Sequence, residues 1–464
     1  MATAVKQKKL DIDMTQGSIT RHLIAFSLPL LLGNIFQQLY NMVDTWVVGN
    51  FVSKEAMAAV GTVGSFTNML IGFFLGFSGG AGVVISQYYG AKDYKSVSKA
   101  VHTSFVMTIL MGILFTFAGI ALVPFVLKTI MKMPDEVYPE AKAYLIIYFA
   151  GMIGLMIYNI GSGILRSVGD SKRPFYFLVV SAVLNTVLDL VFVLCFHMGV
   201  EGVAYATIIA QGVSAVLVVI SLIKNDSCVR LYFTELKADA EMLKKIISIG
   251  IPSAIQLSVT SFSNMFVYSY INYFGTDMMG GYTAYNKIDQ IIMLPLNTIS
   301  LAITTFAGQN LGVGDIKRTK TGVTTAFWLS FSISAVIMVP VIIFAPELTA
   351  IFNNDPEVVR YGTMLLRYIT PFFLVCSASM IQSGALRGAG NTKAPMMIML
   401  ASYVVFRQIY LYIMANYISN TALPIVFSFP AGWIVCAIIT YVYYKRTDLT
   451  KNVVIKKDES RCKA

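Results

Sequence analysis

Asp44, Asn185, Asp189 and Thr207 stand inside long apolar stretches of the first half of the chain. Ionisable side chains at depth in a bilayer are costly and are kept where ions or protons are handled. Asn185 and Asp189 are one helical turn apart and share a face. At ~1.5 Å of rise per residue, Asp44, Asp189 and Thr207 fall roughly 8, 12 and 9 Å below one boundary of their segments. Two carboxylates, an amide and a hydroxyl at comparable depth could surround a small hard cation such as Na+ with oxygens, or share and release a proton. No Lys or Arg lies in the apolar segments of that half to pair with either Asp. In the other half Lys287, Asp289 and Arg407 lie within apolar segments, and the presence of both signs predicts a structural ion pair or network. The chain has only His22, His102 and His197, no HExxH and no clustered aspartate motif. Neither a metalloprotease site nor a Mg2+-dependent transferase site can be assembled, so the chain is not expected to be an enzyme.

The elements that must position these residues are membrane spans. The 464 residues are 56% hydrophobic and 13% charged with a mean hydropathy of +0.69, against roughly 25% charged in an average soluble domain. Twelve apolar windows long enough to cross a bilayer run at about 23–49, 57–81, 101–127, 143–165, 175–197, 201–223, 243–271, 280–306, 322–345, 363–386, 395–417 and 423–444. With the N-terminus inside, 27 Lys and Arg fall on inner stretches and 6 on outer ones, and Lys287 and Arg407 lie in spans. Basic residues are retained on the cytoplasmic side, which predicts a multi-pass protein of the plasma (bacterial inner) membrane with both termini cytoplasmic. The net charge of +11 is then a sidedness signal and an attraction to anionic lipid. Its scatter over many loops gives no nucleic-acid footprint. No signal peptide is expected, because no small-residue cleavage pattern follows the first segment. The five cysteines, Cys195, Cys228, Cys376, Cys436 and Cys462, form no CxxC and read as structural thiols.

An internal repeat organises the spans. GILRSVGDSKRP at 163–174 returns as GALRGAGNTKAP at 384–395, a spacing of 221. Gln87, Gly90 and Asp93 return as Gln309, Gly312 and Asp315 at 222, and Pro29 as Pro252 at 223. The layout is a tail (1–22), a six-helix N-lobe (23–223), a polar linker (224–241), a six-helix C-lobe (242–444) and a second tail (445–464). Two six-helix repeats form a recurring transporter plan. The repeated motifs read as turns: Gly90, Gly169 and Gly390 at positive φ, Arg166 and Arg387 on the last helix carbonyls, Pro174 and Pro395 in the next first turn. Pro29 predicts a kink 15 residues before Asp44. The acidic residues do not repeat: Asp44 corresponds to Val267, and Asp189 to about Tyr410.

Over about 23–444 the chain resembles the multidrug and toxic compound extrusion (MATE) transporters, whose superfamily also holds lipid-linked oligosaccharide flippases. The resemblance rests on the twelve spans in two copies, PLLLGNIFQQLYNMVDTWVVG, the QYYGAKD and GQNLGVGD turns, both LR motifs, and LNTVLDLVFV followed by GVEGVAYAT. It implies V-shaped N and C lobes, alternating access, and export in exchange for Na+ or H+ with no other cofactor. Asp44, Asn185, Asp189 and Thr207 match N-lobe cation-binding positions, and Gln37 and Tyr40 match positions lining the N-lobe cavity. Acidic residues of the NorM-type pattern in spans 7 and 10 read here as about Thr260 and Cys376, which is closer to the DinF-type branch. The implied partners are small-molecule substrates, chiefly amphiphilic cations, and the lipid bilayer, with a monomer sufficient. The rival reading is a flippase or exporter of a lipid-linked or other endogenous metabolite. Such a flippase usually needs a strongly basic cleft, and only Lys287 and Arg407 are basic within spans.

Overall fold

A computed structural model describes residues 12–131, 133–418 and 421–455. Lys132 and the outer parts of both tails, with Lys6, Lys8, Lys9 and Cys462, lie outside the described residues. A bilayer core offers no water to backbone N–H and C=O groups, so an apolar segment satisfies them within its own helix. Every apolar window is accordingly helical over nearly all of its length, and most of the helices extend beyond their windows into the polar flanks. The helices are α1 (Ile19–Phe51), α2 (Lys54–Gly90), α3 (Tyr94–Phe125), α4 (Tyr138–Ala150), α5 (Met152–Ser167), α6 (Lys172–Leu190), α7 (Gly199–Ile223), α8 (Ala240–Asn272) and α9 (Thr276–Val313). They continue with α10 (Ile316–Ile343), the short α11 (Ala345–Ala350), α12 (Pro356–Ile369), α13 (Phe373–Gly388), α14 (Lys393–Met399), α15 (Arg407–Ile413), α16 (Ala422–Val426) and α17 (Ser428–Arg446). Among the described residues eleven helical stretches are long and apolar enough to cross a membrane. The pair α4 and α5, bent by 48° at the break between them, makes a twelfth when counted as one span. The protein is an all-α integral membrane protein of the expected kind.

Two compact units divide the chain, one of Met1–Asp13 with Leu28–Gly250, the other of Met14–Ser27 with Ile251–Ala464. Their boundaries fall inside α1 and α8, just before Pro29 and Pro252, and α1 runs through Pro29 without a break. The segment 224–241 read as a linker belongs to unit 1. It is held there by bonds from the Tyr232 N–H to His102 Nε2 (3.0 Å) and from the Asp239 N–H to Thr103 Oγ1 (3.1 Å).

Within each unit the repeat reappears as the same packing. In unit 1 the Ser78 hydroxyl donates to the Asn159 carbonyl (2.7 Å) where α2 crosses α5 at Gly163. In unit 2 the Ser300 hydroxyl donates to the Met380 carbonyl (2.8 Å) where α9 crosses α13 at Gly384. Asp93 and Asp315 cap α3 and α10 by accepting from the Ser96 and Arg318 N–H groups at 3.1 and 2.8 Å. Gly169 (φ 87°) and Gly390 (φ 82°) end α5 and α13 in the left-handed conformation, as the repeated motifs predicted. Pro174 and Pro395 occupy the first turns of α6 and α14.

Two turn expectations are corrected. The left-handed residue after α2 is Lys92 (φ 60°), not Gly90, and its counterpart after α9 is Gly314 (φ 90°). The following N–H reaches back five residues in each case, Asp93 to the Tyr88 carbonyl and Asp315 to the Asn310 carbonyl, so the reversal falls two residues past the glycine. Arg387 bonds the Gln256 side chain (3.3 Å) and the Ser300 hydroxyl (2.9 Å) instead of helix carbonyls.

Candidate functional site

Unit 1 gathers polar side chains in its core from four helices, each contributing two residues one turn apart. α1 supplies Tyr40 and Asp44, α4 Tyr144 and Tyr148, α6 Asn185 and Asp189, and α7 Thr207 and Gln211. An i,i+4 pair lies on one face of its helix, which is how four apolar spans can each present one polar strip. The Asp44 and Asp189 side chains are close neighbours. Tyr40 and Tyr144 lie within electrostatic range of both carboxylates, Gln37 lies near Tyr40 and Gln211 near Tyr148.

Burial is nearly complete. Asp189 is 0% exposed, Asn185 2%, Thr207 6% and Asp44 8%, whereas Gln37 and Tyr40 are half-buried. Among the described residues, one oxygen of Asp44, both of Asp189 and both amide atoms of Asn185 have no hydrogen-bond partner. Buried polar atoms are almost always paired, and a set of orphans in one place marks a function or a ligand. Two neighbouring carboxylates cannot both keep uncompensated charge in a buried site; a proton or a cation shared by them removes the conflict. A bond from the Ser181 hydroxyl to the Ala210 carbonyl (2.9 Å) fixes the antiparallel register of α6 and α7 and places Thr207 nearly level with Asn185. Its hydroxyl donates to the Val203 carbonyl (2.9 Å) of its own helix. After Asp189, α6 passes into a π-helical turn, Val191–Cys195, a feature frequent at functional sites.

Sequence reasoning grouped Asp44, Asn185, Asp189 and Thr207, the family resemblance added Gln37 and Tyr40, and neither singled out Tyr144, Tyr148 or Gln211. The signal was present as a Tyr pair at helical spacing in the fourth window, and it is indistinguishable there from ordinary packing.

The charged network expected in unit 2 does not form as ion pairs. Among the described residues no ion pair within 4 Å involves Lys287, Asp289 or Arg407. Arg407 is 1% exposed. It reaches α8, donating from Nε to the Ser263 hydroxyl (3.2 Å) and from a terminal nitrogen to Asn264 Oδ1 (2.9 Å). The Phe429 and Tyr403 rings lie 5.1 and 5.6 Å from its guanidinium carbon. Asp289 instead accepts from the Tyr285 hydroxyl (3.1 Å) one turn back on α9, and Lys287 points to the exposed surface. Arg407 and Asp289 thus each have neutral partners, Arg407 on α8 and Asp289 on its own helix α9. Among the described residues no cluster of three His, Cys, Asp or Glu could hold a metal ion, so any cation here would rest on two carboxylates with neutral oxygens.

A family model described as MatE matches residues 29–191 and 252–413, one match in each copy of the repeat. The chain belongs to the MatE family. It is therefore a membrane transporter and not an enzyme. Relatives that match this MatE chain over most of its length include the probable multidrug resistance protein YpnP of Bacillus subtilis, 29% identical over 434 residues, 94% of this chain and 97% of the relative. The probable multidrug resistance protein NorM of Thermotoga maritima is 28% identical over 410 residues, 86% of each chain. A MOP superfamily transporter from Pyrococcus furiosus has the same fold, with a TM-score of 0.90 at 22% identity over 95% of this chain and 98% of that one. So does a multidrug resistance MATE family transporter solved in an outward-facing conformation, with a TM-score of 0.88 at 23% identity over the same shares.

Proposed function

We propose that this MatE chain is a secondary active multidrug antiporter that exports amphiphilic, chiefly cationic compounds in exchange for Na+ or H+. The observation that carries this reading is the Asp44 and Asp189 pair, two neighbouring buried carboxylates with three oxygens unpartnered among the described residues. Loaded with a proton or with Na+, the pair is compensated. Unloaded, it is a buried negative site that favours an organic cation. One site that prefers either occupant alternately couples the two flows. Asn185 Oδ1 would complete the oxygen set for Na+, while Gln37, Tyr40 and Tyr144 offer adaptable polar and aromatic surface to a substrate. The names of the Bacillus and Thermotoga relatives support multidrug resistance as the biological role. The distribution of basic residues supports a plasma-membrane location with cytoplasmic termini, and the chain is taken to work as a monomer. A flippase for a lipid-linked precursor is disfavoured because Arg407 is already engaged by Ser263 and Asn264 and Lys287 faces outward.

The test is substrate flux in proteoliposomes with Na+ and pH gradients imposed separately. Uphill transport driven by one of the two gradients is expected, together with its loss in Asp44→Asn. Flux that responds to neither gradient overturns the antiporter reading.

A further inference from the structure

The two LR motifs place one half-buried arginine in the last turn of α5 and one in the last turn of α13. In unit 2 the Arg387 guanidinium is occupied by the Gln256 side chain and the Ser300 hydroxyl. In unit 1 the place of Gln256, at a spacing of 223, is held by Gly33, which has no side chain to offer. Among the described residues no hydrogen bond or ion pair engages the Arg166 guanidinium, the helix carbonyls expected from the sequence included. What stands beside it is also open. Ser162, one turn back on the same face of α5, is 0% exposed, and its hydroxyl has no partner among the described residues. Tyr158 stands a further turn back, where the second copy has Ser379. Its hydroxyl donates to the Pro174 carbonyl (3.2 Å), and it lies within electrostatic range of both Arg166 and Tyr40. A long side chain on a helix leans towards the N-terminal turn, so Arg166 reaches back along this strip. The strip of Tyr158, Ser162 and Arg166 covers about 12 Å of helix axis and joins the carboxylate site, through Tyr40, to an unpaired cation.

We propose that Arg166 and Ser162 form an anion subsite beside the carboxylate pair, so that the chain takes zwitterionic amphiphiles, their carboxylate on Arg166 and their cationic group towards Asp44 and Asp189. A planar guanidinium with all its donors open binds a carboxylate through parallel N–H bonds, and a neighbouring hydroxyl adds a third. The contrast between the copies shows that the opening is built. The same arginine is closed in unit 2 by a glutamine, and the exchange of that glutamine for Gly33 leaves it open in unit 1. Polar groups buried without partners are costly, and an anionic ligand group removes that cost here. The inference rests on the reading of the carboxylate pair as the cation site.

The experiment uses two fluorescent dyes that differ in one group, zwitterionic tetramethylrhodamine and its methyl ester, a plain cation. Binding to the purified full chain in a maltoside detergent is read by fluorescence anisotropy at neutral pH. Wild type should hold the zwitterion more tightly than the ester. Arg166→Gln should weaken the zwitterion by roughly tenfold or more and Ser162→Ala by a few-fold, while both leave the affinity for the ester unchanged. Arg387→Gln, which removes the arginine already occupied, should leave the ratio of the two affinities as it is in wild type. Equal losses for both dyes in Arg166→Gln, or no loss for either, overturn the proposal and make Arg166 a structural residue. Failure of wild type to bind the zwitterion overturns it too. Should Arg166→Gln fail to fold, Ser162→Ala carries the same comparison between the dyes. Binding needs no gradient, so the two readings fail separately: selective loss in Arg166→Gln with no gradient-driven flux of either dye in proteoliposomes retains the subsite and removes the antiporter.

Discussion

In unit 1, Asp44 and Asp189 face each other in the core with open hydrogen-bonding capacity. In unit 2, Val267 and Tyr410 stand at the repeat-related positions, and the buried charge is Arg407, bonded by Ser263 and Asn264 and covered by two aromatic rings. One substitution between the copies shows how the difference is built. Ser263 is the repeat equivalent of Tyr40 at a spacing of 223. A tyrosine there brings a phenol toward the carboxylates, and a serine leaves room for a guanidinium to enter and supplies its acceptor. Both copies bury charge; only the first leaves it unsatisfied. A buried charge with its partners supplied by the protein holds structure together, while one left open is available to an exchangeable ion.

The largest effect should come from closing the open site. Asp44→Asn and Asp189→Asn are each expected to reduce gradient-driven exchange by roughly 100-fold or more, and the double variant to be no worse than either, because groups that act as one unit are non-additive. Thermal stability without Na+ should hold or rise, since a repulsion between like charges is removed. Exchange at the wild-type rate by stably folded Asp44→Asn would break the contrast between the units. The converse change is Arg407→Leu. It strands the Ser263 and Asn264 acceptors and forfeits the aromatic contacts, at about 2–4 kcal/mol. Melting in detergent should record that loss, while the ratio of ion to substrate transported per folded molecule stays fixed. A changed ratio would give Arg407 a part in coupling.

Much of the scaffold was legible in the sequence because hydropathy and the repeat are long-range patterns that survive local detail. The twelve windows, Pro174 and Pro395, and the helix-ending glycines 169 and 390 follow from apolar length and backbone restriction alone. The core site was half legible. A carboxylate in an apolar run announces itself, and Asn185 follows from its spacing, whereas Tyr144 and Tyr148 look like packing until α4 is set against α1. Where the reading of Arg407 and Asp289 went astray, the reason is physical. Opposite charges in neighbouring spans suggest a pair, yet each residue found a hydroxyl or an amide at shorter reach. Gly90 was misplaced because a glycine attracts the turn in sequence, while the hydrogen bonds of the helix end selected Lys92.

The shared scaffold can be tested at its matched helix crossings. A Cβ at Gly163 would stand 2.3 Å from the Ser78 hydroxyl, and one at Gly384 would stand 2.6 Å from the Ser300 carbonyl oxygen. Overpacking of this kind costs about 1–3 kcal/mol. The hydroxyl can rotate away and the carbonyl cannot, so Gly384→Ala should melt lower than Gly163→Ala although its contact is longer. Equal Tm values would show that the two crossings yield in the same way.

The smallest expected effect concerns the residue that starts α8. Asp239 caps that helix by accepting from the Met242 and Glu241 N–H groups at 3.0 and 3.1 Å, and Lys99 Nζ lies 3.3 Å away. These bonds, the one from Met242 above all, hold its carboxyl below the usual range. A carboxyl whose value is lower in the folded chain lends stability that is fully present above its unfolded value, about 3.9, and is lost as the pH falls through the folded one. Asp239→Asn should therefore lower Tm by an amount on the order of a degree. That difference should be constant from about pH 5 to 8 and shrink on acidification below about pH 4. A gap that widened towards acid would mean that the carboxylate is not what caps the helix.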